Sequence, residues 1–402
     1  MSERTAANEP CKVVIVGGGV AGLEALIALH AHAGNSVAVT LVSRDDSFLD
    51  RPRTVAEPFG LAAVARYPLA QIAAEFDARF IHATVTAVAG GERRVTCADG
   101  SSLEYDTLIL ATGARPQPAP AGAIAFGLAG SAQELEQLLG ELRSGAVRSV
   151  AFVAPSASGW LLPLYELALM TSRELSRARV DGAGLQFVTP ERRPLALFGE
   201  QCSDSVAGLL AAAGVQFAGG APATVGDGAV VLAPGESVAF DAIVTLPLLR
   251  GPGLAGVPAT GAGEFIPVDA HGRVRGLADV YAAGDAVDFD VKQGGLAAQQ
   301  ADAVAAHVAA RHGADVQAAA FAPILRGMLF TGSEPRYLRA DVPEADPDVR
   351  GAGYPLWWPP TKIAGRYLAP YLWARGEVEP PGRPPAGFID VDISLTASTW
   401  PG

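Results

Sequence analysis

Residues 13–24 read V-V-I-V-G-G-G-V-A-G-L-E, and this stretch decides the fold. The β-branched run predicts a strand buried on both faces, followed by a tight glycine turn into a helix over residues 23–30. Gly17, Gly19 and Gly22 stand in G-x-G-x-x-G register, which serves the turn, close backbone approach to a diphosphate, and helix packing, respectively. A diphosphate would lie on the free N–H groups of the helix N-terminus. Glycine-rich turns also occur without ligands, so the motif needs support from the rest of the chain.

Length and composition define the class of protein. A chain of 402 residues exceeds the ~250 to 300 residues of one core and predicts two or three domains. Half of the residues are hydrophobic and only 18% are charged, which is typical of a packed α/β protein. A net charge of −12 without Lys and Arg clusters argues against a nucleic-acid partner.

The N-terminus and the cysteines give further expectations. Residues 1–10 lack a signal-peptide pattern, and no run of ~18 apolar residues follows, so we expect a cytoplasmic protein. Cys11, Cys97 and Cys202 are odd in number and far apart, which predicts neither a metal site nor a local redox pair.

The next stretch predicts the second strand and its surroundings. Residues 37–42 form a parallel strand, but Ser43 and Arg44 follow where dinucleotide folds usually place an acid for the adenosine ribose. Asp45 either contacts the ribose or caps the next turn, and Ser43 offers a weaker ribose contact. Residues 48–60 predict a loop with at most one helical turn. Residues 80–105 predict a small antiparallel hairpin layer.

The second half of the chain repeats this plan. Residues 105–116, Y-D-T-L-I-L-A-T-G-A-R-P, predict a buried strand that ends in small residues, and residues 241–247 repeat the pattern. Between them lies a second α/β unit in which Pro155, Ala157 and Trp160 occupy the three glycine positions. Two similar halves predict two homologous domains, the second nested inside the first. We expect the Trp160 indole to fill the phosphate-binding space of the second domain and to weaken NAD(P)H binding.

The first domain resumes before a C-terminal segment of different composition. Residues 280–286 read V-Y-A-A-G-D-A, and Lys292-Gln293-Gly294-Gly295 opens a helix that ends near residue 312. Residues 354–374 are rich in aromatic residues and proline. They are interpreted as packing over the core, as a surface for a membrane interface, or as the wall of a hydrophobic substrate pocket.

Together, G-G-G-V-A-G, A-T-G-A-R-P and V-Y-A-A-G-D-A resemble the flavoprotein superfamily with two dinucleotide-binding domains. This pyridine nucleotide-disulfide oxidoreductase-like chain is most similar to sulfide:quinone oxidoreductases, flavocytochrome c sulfide dehydrogenases and type II NADH dehydrogenases. The resemblance covers roughly residues 11–320 and includes a P-x-Y-E match at residues 163–166. It implies an α/β fold with two nested Rossmann-like domains. These are an FAD domain over residues 1–122 and 262–320, an NAD(P)-type domain with a degenerate phosphate loop over residues 123–261, and a C-terminal interface segment over residues 321–402.

The resemblance also implies a noncovalent FAD site. Its residues would be Gly17, Gly19, Val20, Ala21, Gly22, Ser43, Arg44, Arg51, Pro52, Val85, Ala111, Thr112, Gly113, Gly284, Asp285, Lys292, Gln293 and Gly294. Asp285 would bind the ribityl or phosphate side of the cofactor, or else only cap a turn. The helix after Lys292 would face the flavin edge where negative charge develops on reduction. No metal ligand and no catalytic residue beyond the flavin is assigned.

The departures from the family pattern shape the functional hypotheses. Trp160 stands where the sulfide branch has a cysteine, and no cysteine lies in residues 48–60, so no thiolate serves as nucleophile. We expect an FAD-dependent oxidoreductase that moves two electrons to a quinone-like or other small acceptor, with possible membrane or quinone contact through the C-terminal segment. One alternative is a soluble NAD(P)H-dependent flavin reductase serving an electron-transfer protein, with residues 191–193 on the adenosine. The other is a flavin-binding module without turnover.

Overall fold

The computed structural model describes residues 9–154, 159–226, 228–232, 235–341, 350–352 and 355–375. The strands are β1 (Cys11–Val16), β2 (Val37–Ser43), β3 (Ser47–Leu49), β4 (Arg66–Pro68), β5 (Arg79–His82), β6 (Val85–Ala89), β7 (Arg94–Cys97), β8 (Ser102–Glu104), β9 (Thr107–Leu110), β10 (Arg115–Pro116), β11 (Ala123–Ala125), β12 (Ser149–Val153), β13 (Gly184–Thr189), β14 (Val215–Gly219), β15 (Ala223–Gly226), β16 (Ala229–Leu232), β17 (Glu236–Ala239), β18 (Ala242–Thr245), β19 (Leu249–Arg250), β20 (Val280–Ala282), β21 (Ile324–Leu329), β22 (Arg336–Asp341) and β23 (Arg350–Ala352). The α-helices are α1 (Val20–Ala33), α2 (Leu69–Glu75), α3 (Ser131–Ser144), α4 (Leu162–Ala178), α5 (Glu200–Ala212), α6 (Gly294–Arg311) and α7 (Leu368–Trp373), and 3-10 helices lie at Gly34–Ser36, Arg51–Phe59, Gly90–Glu92, Ala196–Phe198 and Gly284–Ala286.

The first parallel sheet has the strand order β20-β9-β1-β2-β5. β1 is central, and its residues Val13, Val14, Ile15 and Val16 are at most 4% exposed, which confirms a strand buried on both faces. Helices α1 and α6 pack on one face of the sheet, whereas β6 and β7 cover the other face. Helices and an antiparallel layer therefore exclude water from both faces of this sheet.

The second parallel sheet has the order β11-β18-β12-β13-β14. Its core includes residues of α3, α4 and α5, so this unit repeats the strand and helix alternation of the first. The expected α/β fold with two Rossmann-like units is confirmed. The domain boundaries at residues 122, 261 and 320 stay a prediction.

Two local predictions are wrong. Residues 48–60 form β3 and a nine-residue 3-10 helix, Arg51–Phe59, rather than a loop with at most one turn. Tertiary packing stabilises this helix, because Val55 and Ala56 are buried in the core of the second unit. Residues 79–82 form the edge strand β5 of the first parallel sheet and do not belong to the antiparallel layer, which begins at β6. Hydrogen bonding to β2 overrides the hairpin pattern there.

The C-terminal segment connects the two units. β21, β22 and β23 form an antiparallel sheet, and Leu325 and Leu329 pack in the core of the second unit. Ile363, Leu368 and Leu372 pack in the core of the first unit instead. Most of the described apolar residues in 355–375 are buried or half-buried, which favours the packing interpretation, and Tyr354 lies outside the described residues. Within the described ranges no helix is both long and apolar enough to cross a bilayer.

Candidate functional site

A cavity of about 610 Å³ opens at the carboxyl ends of the first parallel sheet. Its wall includes Val16 at the end of β1, Ser43 at the end of β2, Ala111 after β9 and Ala283 after β20. This is the edge at which open parallel sheets bind ligands, and the volume is that of a small-molecule site. Of the residues predicted for FAD, all line this cavity except Gly22.

The glycine turn has the geometry that each glycine was predicted to provide. Gly17 has a φ of +118°, and a Cβ there would lie 2.1 Å from the carbonyl oxygen of Ala111. A Cβ at Gly22 would lie 1.8 Å from the carbonyl oxygen of Gly17, so Gly22 packs α1 against the turn and does not face the cavity. A Cβ at Gly19 would meet no atom within 4 Å, because this position faces the open cavity. A ligand can therefore approach the backbone at Gly19 closely.

Two helix N-termini point positive ends at the cavity. α1 begins at Val20 after Gly19, and no side chain caps it. α6 begins at Gly294 after Gln293, whose side chain accepts a hydrogen bond from the N–H of Leu296 (2.8 Å) and donates one to the carbonyl oxygen of Arg326 (3.0 Å). Gln293 thus fixes this helix end beside β21. Free N–H groups and two helix dipoles make the cavity suited to an anionic ligand.

At the end of β2, the turn is held by serine rather than aspartate. The Ser43 Oγ accepts a hydrogen bond from the N–H of Asp45 at 3.1 Å. The Asp45 carboxylate lies 3.6 Å from the Arg44 guanidinium, and both residues line the cavity. Asp45 is therefore not the capping side chain; its carboxylate is exposed beside Arg44, and the Ser43 hydroxyl still has its O–H to donate to a ligand.

Asp285 and Lys292 also line the cavity and follow β20 of the first parallel sheet in the chain. The 3-10 turn Gly284–Ala286 has Ala283 as its N-cap, so Asp285 does not cap it. Burial raises the pKa of Asp285, with Lys292 and Arg51 opposing that shift. The Lys292 ammonium donates to the carbonyl oxygen of Val287 and lies 3.7 Å from the centroid of the Phe265 ring. Burial lowers the pKa of Lys292 to about 8.

One buried polar atom supports a bound cofactor in this cavity. The Thr112 Oγ1 is buried and has no hydrogen-bond partner among the described residues, although Thr112 lines the cavity. Buried hydroxyls without partners are rare in native proteins, and a ligand oxygen or nitrogen would satisfy this one. Together with the open cradle at Gly19, this residue set fits FAD.

Sequence reasoning missed a buried ion pair on the cavity wall. The Lys362 ammonium lies 2.6 Å from both carboxylate oxygens of Glu166, and the side chains are 5% and 0% exposed. The N–H of Phe330 donates a hydrogen bond to the Oε1 of Glu166 at 2.7 Å. Burial lowers the pKa of Lys362 and raises that of Glu166, and each charge opposes the shift of the other. Lys362 lines the cavity, and sequence reasoning had not named it for the site.

Trp160 also lines this cavity. Its ring lies 5.9 Å from the Phe198 ring, and its Cη2 would lie 3.4 Å from a Cβ at Gly327 in β21. The indole thus packs between the second unit and the C-terminal sheet, on apolar surface from Phe198 and β21. That it also fills the phosphate-binding space of the second unit stays a prediction, because residues 155–158 of that turn lie outside the described residues. Pro155 and Ala157 lie outside the described residues.

The residues expected to bind an adenosine in the second unit have other partners. The Tyr165 hydroxyl donates to Glu191 Oε2 at 2.6 Å, and the Tyr165 ring stacks on Phe187 with centroids 3.9 Å apart. Arg193 contacts Glu200 at 3.0 Å and Asp204 at 3.3 Å. A nucleotide would have to compete with these contacts for the Glu191 carboxylate and the Arg193 guanidinium.

The cysteines lie away from the cavity. Among the described residues, which include all three cysteines, none of them lines it. Cys97 and Cys202 are buried, and burial raises the pKa of the Cys202 thiol to about 11. The Cys11 Sγ lies 3.2 Å from the His312 Nε2 and thus has a polar partner away from the cavity. Burial raises the Cys11 pKa, which disfavours a reactive thiolate there as well.

A parallel sheet with a glycine turn, two helix N-termini and an unpartnered hydroxyl at one cavity, next to a second unit of the same kind, defines a flavin-dependent oxidoreductase. Residues 11–313 match the family described as pyridine nucleotide-disulphide oxidoreductase. The chain belongs to this family, and its cofactor is FAD. The resemblance found from the three motifs is confirmed.

Individual relatives show how far the likeness extends. An NADH dehydrogenase-like protein of Mycobacterium tuberculosis is 28% identical over 300 residues, which cover 68% of this chain and 72% of that protein. Putidaredoxin reductase of Pseudomonas putida is 33% identical over 137 residues, which cover 33% of this chain and 32% of that one. The structure of the sulfide:quinone oxidoreductase from Aquifex aeolicus superposes with a TM-score of 0.76 at 19% identity, covering 94% of this chain and 99% of that chain. At that identity, the likeness to the solved structure concerns the fold.

Proposed function

We propose that this protein uses FAD to pass two electrons to a quinone-like acceptor without a thiol intermediate. The observation that carries the proposal is that one cavity is lined both by the residues predicted for FAD, apart from Gly22, and by the ion-paired Lys362 of the C-terminal segment. The C-terminal layer contributes to the same cavity through Gly327 and Met328 of β21. A second small molecule can therefore meet the cofactor there.

The residues on the sheet side would hold the cofactor. Gly17, Gly19 and the N-terminus of α1 would bind the diphosphate, and Asp285 would accept hydrogen bonds from hydroxyl groups. When bound, FAD supplies two-electron transfer between a donor and an acceptor. The N-terminus of α6 and the Lys292 ammonium would stabilise negative charge beside the ring.

The lining residues from the second unit and the C-terminal segment suit a planar acceptor. Trp160, Pro163 and Met328 supply an aromatic and apolar surface, and the same cavity is lined by the buried Lys362 ammonium. A quinone combines a flat apolar ring with polar oxygens, so it can pack on the first group and accept a hydrogen bond from the second. Glu166 keeps Lys362 positioned and its charge balanced.

A second candidate is an NAD(P)H-dependent flavin reductase, and the names of two relatives favour it. One is called NADH dehydrogenase-like, and the other is putidaredoxin reductase. Against it stand the hydrogen bond between Tyr165 and Glu191 and the ion pairs of Arg193, which engage the groups that an adenosine would need. We therefore rank the NAD(P)H-dependent flavin reductase as the second candidate.

Anaerobic titration separates the two candidates. The purified yellow protein is mixed with NADH, with NADPH or with sulfide, and bleaching of the visible flavin band reports the donor. A photoreduced sample is then mixed with a short-chain ubiquinone analogue or menadione, and the return of the band reports the acceptor. We expect rapid reoxidation by quinone and slow or absent bleaching by NAD(P)H. If NADH bleaches the flavin band rapidly and no quinone restores it, the protein is instead the flavin reductase.

A further inference from the structure

Two buried glutamates, one from each unit, hold the same short stretch of the C-terminal segment. Glu24 belongs to α1 of the first unit and Glu166 to α4 of the second, and both residues are 0% exposed. Glu166 binds the Lys362 ammonium, whereas Glu24 accepts hydrogen bonds from two backbone N–H groups at the start of α7, at 2.9 and 2.8 Å. Residues 361–368, which we call the C-terminal strap, are therefore fixed to both units.

The C-terminal strap lies against the end of α6 that is predicted to face the flavin. A Cβ at Gly294 would lie 3.4 Å from the Cγ1 of Ile363. A Cβ at Gly295 would lie 3.5 Å from the backbone nitrogen of Ala364. Ile363 is 0% exposed, and Lys362, which precedes it, lines the cavity. Because protein interiors are close-packed, a displacement of the strap moves Lys362 in the cavity wall.

Gly365 is the strap residue at which close approach to α1 requires a glycine. A Cβ there would lie 2.5 Å from the Glu24 Oε2 and 3.0 Å from the Cβ of Ala298 in α6. Gly365 does not have a positive φ, so the close approach and not the backbone conformation excludes a side chain. The Glu24 carboxyl is buried, and moving it away would break its two hydrogen bonds to the strap. Since non-bonded heavy atoms pack best near 3.5 Å, an alanine at this position would displace the strap by up to about 1 Å.

We propose that Glu24 and Gly365 are positioning residues of the acceptor site. Neither residue lines the cavity, but the contact between them sets the distance of the strap from α1 and thereby the place of Lys362 in the cavity wall. The inference rests on the proposed function, in which the acceptor packs on the wall that includes Lys362. Because α1 begins at the turn predicted to bind the diphosphate, the same helix orients both the cofactor and the acceptor wall. Altering the contact therefore weakens acceptor binding and leaves FAD binding intact.

Gly365→Ala tests the inference, with Gly140→Ala in α3 as the matched control because a Cβ at Gly140 would meet no atom within 4 Å. A short-chain ubiquinone analogue is titrated calorimetrically into the oxidised, FAD-loaded protein at pH 6, where Glu24 keeps its proton. We expect G365A to raise the Kd for the quinone about tenfold, since a misplacement of about 1 Å costs up to 10². G140A should bind the quinone as wild type does. In steady-state turnover of G365A the KM for the quinone should rise, whereas kcat should change by less than about twofold.

Rescue by a second substitution separates positioning from a general loss of stability. Glu24→Asp shortens the side chain by one methylene and makes room for the new Cβ at Gly365. By itself E24D should weaken quinone binding, because the shorter carboxyl no longer reaches both N–H groups of the strap. The double variant of Glu24→Asp and Gly365→Ala should bind the quinone more tightly than G365A does. Two changes that acted only through stability at unrelated contacts would add instead.

The outcomes separate this inference from the proposed function. If the wild-type protein neither binds a quinone nor is reoxidised by one, the proposed function fails, and the inference falls with it. If wild type binds the quinone and G365A binds it equally well, or if E24D restores none of the lost affinity, the positioning role alone is wrong. Should G365A lose its fold or its FAD, Glu24→Gln keeps the size of the side chain and removes one acceptor oxygen. E24Q must then keep its FAD and raise the Kd for the quinone at least about twofold, and an unchanged Kd refutes the role.

Discussion

Glu24 in the first helix should make the stability of this protein fall as pH rises. The Glu24 carboxyl is 0% exposed, and its two oxygens accept hydrogen bonds from the N–H groups of Tyr367 (2.9 Å) and Leu368 (2.8 Å) at the start of α7. Burial, together with the like charge of Asp302, raises its pKa from 4.5 to about 8. The carboxyl is therefore neutral in the folded protein at neutral pH.

The sign and size of the effect follow from proton linkage. Between pH 4.5 and pH 8 the folded protein keeps the Glu24 proton and the unfolded chain loses it, so the free energy of unfolding decreases with rising pH. The slope approaches about 1.4 kcal/mol per pH unit, and the whole window amounts to about 5 kcal/mol. The stabilisation is complete below pH 4.5 and is lost by about pH 8.

Glu24→Gln tests this reasoning by removing the titration. An amide has one acceptor oxygen, so one of the two hydrogen bonds to α7 is lost, at about 1 kcal/mol. E24Q should be less stable than wild type at pH 5, and the difference should shrink or reverse by pH 8. Urea unfolding at saturating FAD across this range measures both curves, with Glu136→Gln at an exposed site of α3 as the control. If wild type and E24Q show the same slope, the raised pKa of Glu24 is refuted.

Three further predictions concern the cavity and the cysteines. Gly19→Val should fold but remain colourless, because the branched side chain meets only the space that the diphosphate needs; Gly91→Val, also without a neighbour within 4 Å, should stay yellow, and a yellow G19V would contradict the site. A triple Cys→Ser variant should keep its FAD and its turnover with quinone, and loss of turnover alone would restore a thiol mechanism. Trp160→Gly should change the rates of flavin reoxidation by bulky quinones without improving NADPH binding in a titration. Tighter NADPH binding would show instead that the indole occupies the nucleotide site of the second unit.

The sequence by itself determined the structural features that depend on the residue pattern within a short stretch of the chain. A β-branched run followed by glycines in a fixed register specifies a buried strand, a turn and a helix, because strand and turn preferences act within a few residues. The repetition of that pattern determined two Rossmann-like units, and three motifs at the ends of strands named residues that line one cavity, whose role as the FAD site stays a prediction. Gly17 and Gly22 have the contacts that were predicted for them, since these involve only the turn and the strand beside it.

Only the tertiary structure decided the contacts between segments that lie far apart in the sequence. Glu166 and Lys362 are 196 positions apart, and each stands in an apolar stretch as a single charge where a hydrophobic residue is expected. Such a charge needs an opposite partner, but sequence spacing does not say which residue it is. The position of Trp160 and the 3-10 helix after Asp50 likewise depend on apolar surface from other elements. Long-range packing of the C-terminal layer against both units makes these choices, because burial and desolvation are properties of the assembled core.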